Sequence, residues 1–475
     1  MNYHIITLGC PKNTVDSEGM GTILAARGHR PVAQPEDADV LIVNTCGFLA
    51  AARQEALDVL RDLGARKRPG QRLIAAGCMV ESHASLVQSV AGVDATLSTR
   101  RWPRIGDLFE EPLTERGNGQ HRQSCQQSQQ GHGAENHTLA GADWRTASFR
   151  RAGTPPSAYL KISDGCSLRC SFCLIPTIKG AMRSKPPDDI VREAQELTAQ
   201  GVQEIVLVAQ HLTDYGRDLG FGKDGLATLL ERLGAELPPD RWLRLMYAYP
   251  QSVTPRLIET MARLPQICHY LDMPLQHAHP DVLCRMHRPS CLDHTRQIVG
   301  DLRQAMPDIA LRSTFMVGFP GETEQEFHAL LDFLSEMQFD RVGVFHYSQE
   351  HGTPAATAPH QVPPRTIERR WHRAMRHQQP IALERNRRWQ GHHLDVLVEG
   401  QGMTDDGRSL FVGRSFREAP EVDGQVLVWG QAEVGSRVRV RITQATAYDL
   451  WGEPVADGES LLTLPARAGV GVGAG

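Results

Sequence analysis

From residue 158 onward, short apolar runs alternate with amphipathic stretches, and this alternation constrains the fold more than any other feature of the chain. The runs Tyr159–Ile162, Glu204–Ala209, Trp242–Tyr247, Tyr270–Met273, Ile309–Val317 and Arg341–Tyr347 read as strands. Residues 188–199, 255–264, 293–305 and 322–337 read as helices between them. Strands separated by helices pair in parallel, because only a long crossover can return the chain to the same sheet edge. Repeated βα units predict a barrel or partial barrel, and functional groups in such folds gather at the carboxyl ends of the strands.

The first 115 residues follow the same logic on a smaller scale. Residues 4–8, 40–44 and 73–76 are predicted strands, with helices over residues 17–28 and 51–63, giving a βαβαβ parallel sheet. Residues 116–151 lack apolar periodicity and are rich in Gln and Gly, so they read as a flexible linker, with Cys125 a bystander. The core is expected over 152–383. It ends in an arginine-rich helix, residues 365–388, that either packs on the core's edge or presents a solvated basic face. From residue 393 the apolar period becomes two, in 394–398, 425–428 and 438–442. That predicts a small antiparallel β-barrel within 384–456, followed by a loose tail at 457–475. The fold class is therefore α/β with an appended all-β module.

Bulk composition excludes little else. Lys plus Arg number 51 against 55 Asp plus Glu, a net charge of -4 that does not advertise a nucleic-acid binder. No apolar run approaches the length of a membrane span, and the N-terminus lacks the basic segment of an export signal. The ten cysteines are thus expected as reduced thiols in a cytoplasmic protein.

Cys166, Cys170 and Cys173 follow the first core strand with Cys-x3-Cys-x2-Cys spacing. Three thiolates suit a four-iron cluster with one iron left open, since fully ligated clusters take four cysteines. Structural zinc and unliganded thiols are the alternatives, although no second paired knuckle completes a zinc site. Cys10, Cys46 and Cys78 are far apart in sequence, yet each directly follows a predicted strand of the first domain. In a parallel sheet they fall along one edge, the usual ligand crevice, where they suit a second three-thiolate cluster or remain buried free cysteines. The adjoining Gly9, Gly47 and Gly77 would let the backbone approach a bulky group. Cys268, Cys284 and Cys291, with His277, His279 and His287 nearby, have no paired spacing and read as structural or surface residues.

The cysteine loop resembles that of the radical S-adenosylmethionine superfamily. Together with the strand-end cysteines and a TRAM-like barrel, it resembles the methylthiotransferases. The motifs Leu8-Gly9-Cys10-Pro11-Lys12-Asn13, Leu160-Lys161-Ile162-Ser163-Asp164-Gly165-Cys166, Gly413-Arg414-Ser415, Ala419-Pro420-Glu421-Val422-Asp423-Gly424 and Tyr448-Asp449-Leu450-Trp451-Gly452 are similar to the branch that acts on a ribosomal protein. The roughly balanced charge of residues 385–453 fits a protein partner better than a phosphate backbone. His211 stands where the family usually has aspartate, and Lys185 where it usually has arginine.

The resemblance implies a (βα)6 partial barrel and two 4Fe-4S clusters, one on Cys10, Cys46 and Cys78 and one on Cys166, Cys170 and Cys173. The open iron of the second would bind S-adenosylmethionine. It implies methylthiolation of an aspartate β-carbon in the small-subunit ribosomal protein number twelve, with S-adenosylmethionine as methyl donor and radical source. Phe172, Gln210, Gln276, Gly318 and Glu322 are the candidate cofactor contacts, and no side-chain base is expected. The implied partners are the ribosomal protein or ribosome, an external sulfur source, and a low-potential donor such as a flavodoxin or ferredoxin. The chain is expected to be a monomer with no membrane association. A transfer-RNA adenosine methylthiotransferase, or a non-catalytic metal-binding RNA module, is the rival reading.

Overall fold

A computed structural model of the chain describes residues 1–110, 144–145, 155–289, 291–404 and 407–455. The expected linker, apart from residues 144–145, and the expected tail lie outside the described residues, as does Cys125. The described chain divides into two compact units, one from residues 1–47 and 52–110, the other from residues 48–51 and 155–455.

The N-terminal unit is a five-stranded parallel sheet built from β1 (Asn2–Thr7), β2 (Arg30–Pro31), β3 (Val40–Thr45), β4 (Arg72–Gly77) and β5 (Ala95–Ser98), in the order β2-β1-β3-β4-β5. Every residue of β3 is buried, as its unbroken apolar run requires of a central parallel strand. The edge strands β2 and β5 were not read from the sequence, because Arg30–Pro31 is two residues long and β5 is only partly buried. The first helix runs Pro11–Ala26 rather than from Ser17, since Pro11 is preorganised for a first helical turn.

The second unit holds six parallel strands, β6 (Ser157–Lys161), β9 (Glu204–Val208), β10 (Trp242–Leu245), β11 (Ile267–Gln276), β12 (Ala310–Val317) and β13 (Arg341–His346). A two-residue ribbon, β7 (Ser163–Asp164) and β8 (Arg183–Ser184), follows β6. Spatial order is sequence order, β6 to β13, and the sheet does not close, so it is a partial barrel. Ile205, Leu207, Leu243, Leu245, Leu271 and Leu311 pack against helices in the main apolar core. Alternate residues Glu204, Arg244, Tyr270, Asp272 and Arg312 therefore face the other side. Helices Gly225–Glu236 and Pro280–Arg285 complete the βα repeat that the sequence left partly unread. The arginine-rich helix, Pro364–Arg387, packs beside β13, and Trp371 Nε1 donates to Val344 O at 2.7 Å.

β14 (His393–Met403), β15 (Ser409–Arg414), β16 (Val426–Trp429), β17 (Arg437–Ala445) and β18 (Leu450–Pro454) form a closed barrel. Four pairings are antiparallel and β16–β18 is parallel, a departure from the all-antiparallel expectation. Buried charges join this barrel to the core strands. Arg414, also held by Glu399 of β14 (2.6 Å), reaches Glu204 (2.5 Å), Arg341 reaches Glu418 (3.1 Å), and Tyr270 OH donates to Asp423 (2.7 Å). Arg244 donates to the carbonyls of Ser415 (3.1 Å) and Phe416 (2.6 Å). Within the barrel motifs 413–415 and 419–424, Arg414, Ser415 and Asp423 are thus interface residues.

Candidate active site

In the core unit, the chain leaves β6 and turns back on itself before reaching the cysteines. Gly165 has φ +83, and a Cβ there would lie 2.4 Å from Ala181 O, so only glycine fits this close approach. Cys166 N donates to Gly180 O at 3.1 Å, closing the loop. Asp164 is its hub, accepting from Gly165 N (3.2 Å) and Gln210 Nε2 (2.8 Å) and pairing with Lys161 (3.3 Å) and Lys179 (3.2 Å). Burial pushes the Asp164 carboxyl up, but the two lysines outweigh it and hold it well below the usual carboxylate range.

Cys173 N donates to Cys170 O (3.1 Å), and Ile175 N donates to Cys173 Sγ (3.4 Å). Burial, followed by the neighbouring Cys170 and Cys166, pushes the Cys173 thiol up to about 12, and burial also raises Cys166. Such thiols stay protonated at neutral pH until a metal displaces the proton. Among the described residues, neither cysteine triad brings its three sulfurs within 4.8 Å of one another. A single tetrahedral zinc, with Zn–S near ~2.3 Å, would draw them closer than that. The all-thiol donor set fits a multi-iron cluster, with one thiolate per iron.

In the N-terminal unit, β1, β3 and β4 are neighbours, and their carboxyl ends carry Cys10, Cys46 and Cys78 along one edge, as the sequence predicts. Cys10 caps the helix Pro11–Ala26, whose positive end favours an anionic group. Gly9 and Gly47 also have a packing reason to be glycine. A Cβ on Gly9 would sit 2.6 Å from Cys46 Cβ, and one on Gly47 would sit 2.8 Å from Cys78 C, so they let the cysteine turns pack on each other. Asn13, quoted in the first motif but given no role from sequence, ties three turns together. Its Nδ2 donates to Leu8 O (2.8 Å) and Thr45 O (3.2 Å), while its Oδ1 accepts from Cys78 Sγ (3.7 Å).

The candidate cofactor contacts separate into two kinds. Phe172 meets Phe319 edge-on at 6.4 Å, and Gln210 is oriented by Asp164 with its Oε1 buried and without a partner among the described residues. Gln276 ends β11 at φ 74, where the register against β12 shifts. Gly318 and Glu322 also shape their own loop. A Cβ on Gly318 would lie 2.3 Å from Ile367 Cγ1, and Glu322 Oε2 accepts from Gly318 N and from Phe319 N (3.1 Å). Burial pushes Glu322 up to about 7 against the opposing pull of Arg370.

His211 is buried edge-on to Tyr249 (5.0 Å), and burial lowers it to about 4, so it is neutral at pH 7. Lys185 pairs with Glu193 in a buried layer. Cys268 is buried, whereas Cys284 and Cys291 are exposed, and no metal-ligating group forms from them among the described residues. His277 Nδ1 accepts from His279 N (3.1 Å) and His279 Nδ1 from Asp281 N (3.3 Å), and His287 lies 3.2 Å from Arg169 O, as structural histidines do. Sequence reasoning missed Arg288 and Tyr249. Arg288 Nη1 reaches Cys170 Sγ at 3.9 Å and its guanidinium stacks on the Tyr249 ring, and a strand-end position was the only sequence signal for Tyr249.

Residues 2–98 match the uncharacterized protein family UPF0004, residues 160–334 the radical SAM superfamily, and residues 391–455 the TRAM domain. The chain is similar to solved radical S-adenosylmethionine methyltransferase TsrM from Kitasatospora setae, with TM-score 0.53, 15% identity, and coverage of 74% of this chain and 76% of that one. At that identity the likeness speaks for the fold. Curated relatives named ribosomal protein uS12 methylthiotransferase RimO are much nearer. The one from Roseiflexus sp. (strain RS-1) is 65% identical over 96% of this chain and 97% of its own length. Those from Chloroflexus aurantiacus and Geobacter sulfurreducens are 60% and 42% identical, over 96% and 95% of this chain and 100% and 98% of their own lengths. The fold, the two cysteine triads and this full-length identity agree: the chain belongs to the RimO family of ribosomal protein uS12 methylthiotransferases.

Proposed function

We propose that this protein methylthiolates the β-carbon of an aspartate in ribosomal protein uS12. One observation carries the reading: a triad of strand-end cysteines and a second triad on one loop occur in a chain 57–65% identical to four uS12 methylthiotransferases. Cys166, Cys170 and Cys173 would hold one 4Fe-4S cluster, with S-adenosylmethionine at its open iron, and Cys10, Cys46 and Cys78 would hold the other. When bound, these groups supply one-electron cleavage of S-adenosylmethionine, a hydrogen-abstracting radical and the sulfur to be transferred.

The chain's own residues bind, orient and exclude water. Asp164, pinned by Lys161 and Lys179, fixes the loop that carries the core thiols. Gln210, oriented by Asp164, keeps a buried acceptor for the cofactor, and Gln276 offers a second polar group from the end of β11. Phe172 and Phe319 form an apolar wall, and Gly318 and Glu322 hold the loop that carries Phe319 in place. No side chain acts as a base.

We take residues 1–115, 152–383 and 384–456 as the functional modules. The supporting readings are a monomer working in the cytoplasm, an external sulfur source, and a flavodoxin or ferredoxin as donor. No helix among the described residues is long and apolar enough to cross a membrane. The test is anaerobic reconstitution, expected to give about eight irons per chain. Incubation with S-adenosylmethionine, reductant, sulfide and either uS12 or transfer RNA follows, with mass spectrometry of both. A methylthio addition on uS12 is expected, and modification of the RNA alone overturns the proposal.

A further inference from the structure

The residues after the helix Pro280–Arg285 lie directly against the core cysteine loop. Ser171 N donates to Met286 O (3.0 Å), and Ser171 Oγ donates to Arg285 O (2.7 Å). His287, at φ 53, brings Nδ1 to 3.2 Å from Arg169 O. The same turn delivers Arg288, whose Nη1 lies 3.9 Å from Cys170 Sγ. Two further contacts fix the guanidinium. Its Nη2 donates to Pro274 O, and it stacks over Tyr249, 4.5 Å from the ring centroid. An arginine stays charged at any working pH, and among the described residues no carboxylate lies within ion-pair distance of this one. A clamped, half-buried cation is therefore aimed at a single thiol.

We propose that Arg288 is a positioning residue that raises the reduction potential of the iron–sulfur group held at Cys166, Cys170 and Cys173, through a charge-assisted hydrogen bond to the Cys170 sulfur. The inference rests on the ligand reading given above. One-electron reduction adds a negative charge to that group. A donor and a positive charge beside a ligating sulfur stabilise the reduced form more than the oxidised one. Arg288 thereby lets a donor of given potential reduce a larger fraction of the protein. The stacked Tyr249 ring and the Pro274 carbonyl orient the fork toward Cys170.

The experiment uses the full chain carrying Cys10→Ala, Cys46→Ala and Cys78→Ala, so that only the core cluster reports. This background, alone and with Arg288→Met or Arg288→Lys, is reconstituted anaerobically, assayed for iron, and titrated with dithionite under electron paramagnetic resonance. About four irons per chain are expected. A background without iron overturns the ligand reading itself. With iron retained, Arg288→Met is expected to shift the midpoint negative by at least a tenfold change in the reduction equilibrium, about 59 mV for one electron. Arg288→Lys, which keeps the charge, should recover much of that shift. An unshifted Arg288→Met, or a lysine variant shifted as far as the methionine one, overturns the proposal. Should Arg288→Met bind no iron, 15N-arginine labelling of the background decides. A 15N hyperfine coupling to the reduced cluster, kept in Arg169→Lys and lost in Arg288→Lys, is expected, and its absence overturns the proposal.

Discussion

Replacing Glu204 with alanine should loosen the junction between the partial barrel and the small barrel while leaving the N-terminal unit intact. Glu204 is fully buried and holds two buried cations, Arg244 (2.6 Å) and Arg414 (2.5 Å), with Ser157 Oγ donating at 2.7 Å. Removing one partner of a buried ion pair costs about 3–5 kcal/mol, because the remaining charge stays buried. Linkage gives a similar figure. Burial would raise the Glu204 carboxyl, but Arg244 and Arg414 hold it from its ordinary 4.5 down to about 2, which corresponds to roughly 3 kcal/mol. Arg244 keeps its carbonyl acceptors and Arg414 keeps Glu399, so the lower end of the range applies. The assay is native-state hydrogen exchange, read on β9, β10 and β15 with β1, β3 and β4 as internal reference. Glu204→Ala should speed exchange in the first group roughly a hundredfold, and Glu204→Gln, which retains an acceptor, should speed it less. Because the folded carboxyl is depressed, its contribution is present above about pH 4.5 and lost as pH falls toward 2. The wild-type difference from Glu204→Ala should therefore shrink across that window. Exchange in β9 and β15 of Glu204→Ala within threefold of wild type would refute the reasoning.

Glu322 carries the opposite sign. Its folded carboxyl is raised from 4.5 to about 7, so the native state binds the extra proton and stability should fall as pH rises between those values. Melting temperatures at pH 5 and 7.5 should differ less in Glu322→Gln than in wild type, and an unchanged difference contradicts this. Gly9→Ala, forced to place a Cβ 2.6 Å from Cys46 Cβ at φ +95, should cut reconstituted iron to about half while the core cluster remains. Full iron in that variant would show that the turn adapts. Cys284→Ser with Cys291→Ser, both exposed, should leave iron content and S-adenosylmethionine cleavage unchanged, and a loss of either would restore those residues as ligand candidates.

The small barrel's motifs illustrate how likeness in sequence and role in structure diverge. Gly413-Arg414-Ser415 and residues 419–424 point to a branch of the family, yet Arg414, Ser415 and Asp423 spend their polar groups on Glu204, Arg244 and Tyr270. The motif marks how the barrel is seated on the core.

The central strands of the two parallel sheets and the placing of both cysteine triads were legible in the chain itself. Apolar runs such as Val40–Val43 report burial on both faces, and a cysteine immediately after a parallel strand has only one edge to occupy. Local spacing was enough to single out Cys166, Cys170 and Cys173, because three thiols on one short loop need no long-range partner to be read as a group. Tertiary structure alone decided what surrounds them. Asn13 lies 65 residues from Cys78, and Arg288 lies 118 residues from Cys170. Glu204 lies 210 residues from Arg414. No periodicity records such pairings, because a polar side chain finds its partner only after the apolar layers have set the register. The same holds for Gly9 and Gly47, whose need to be glycine comes from the neighbouring cysteine turn that each would strike.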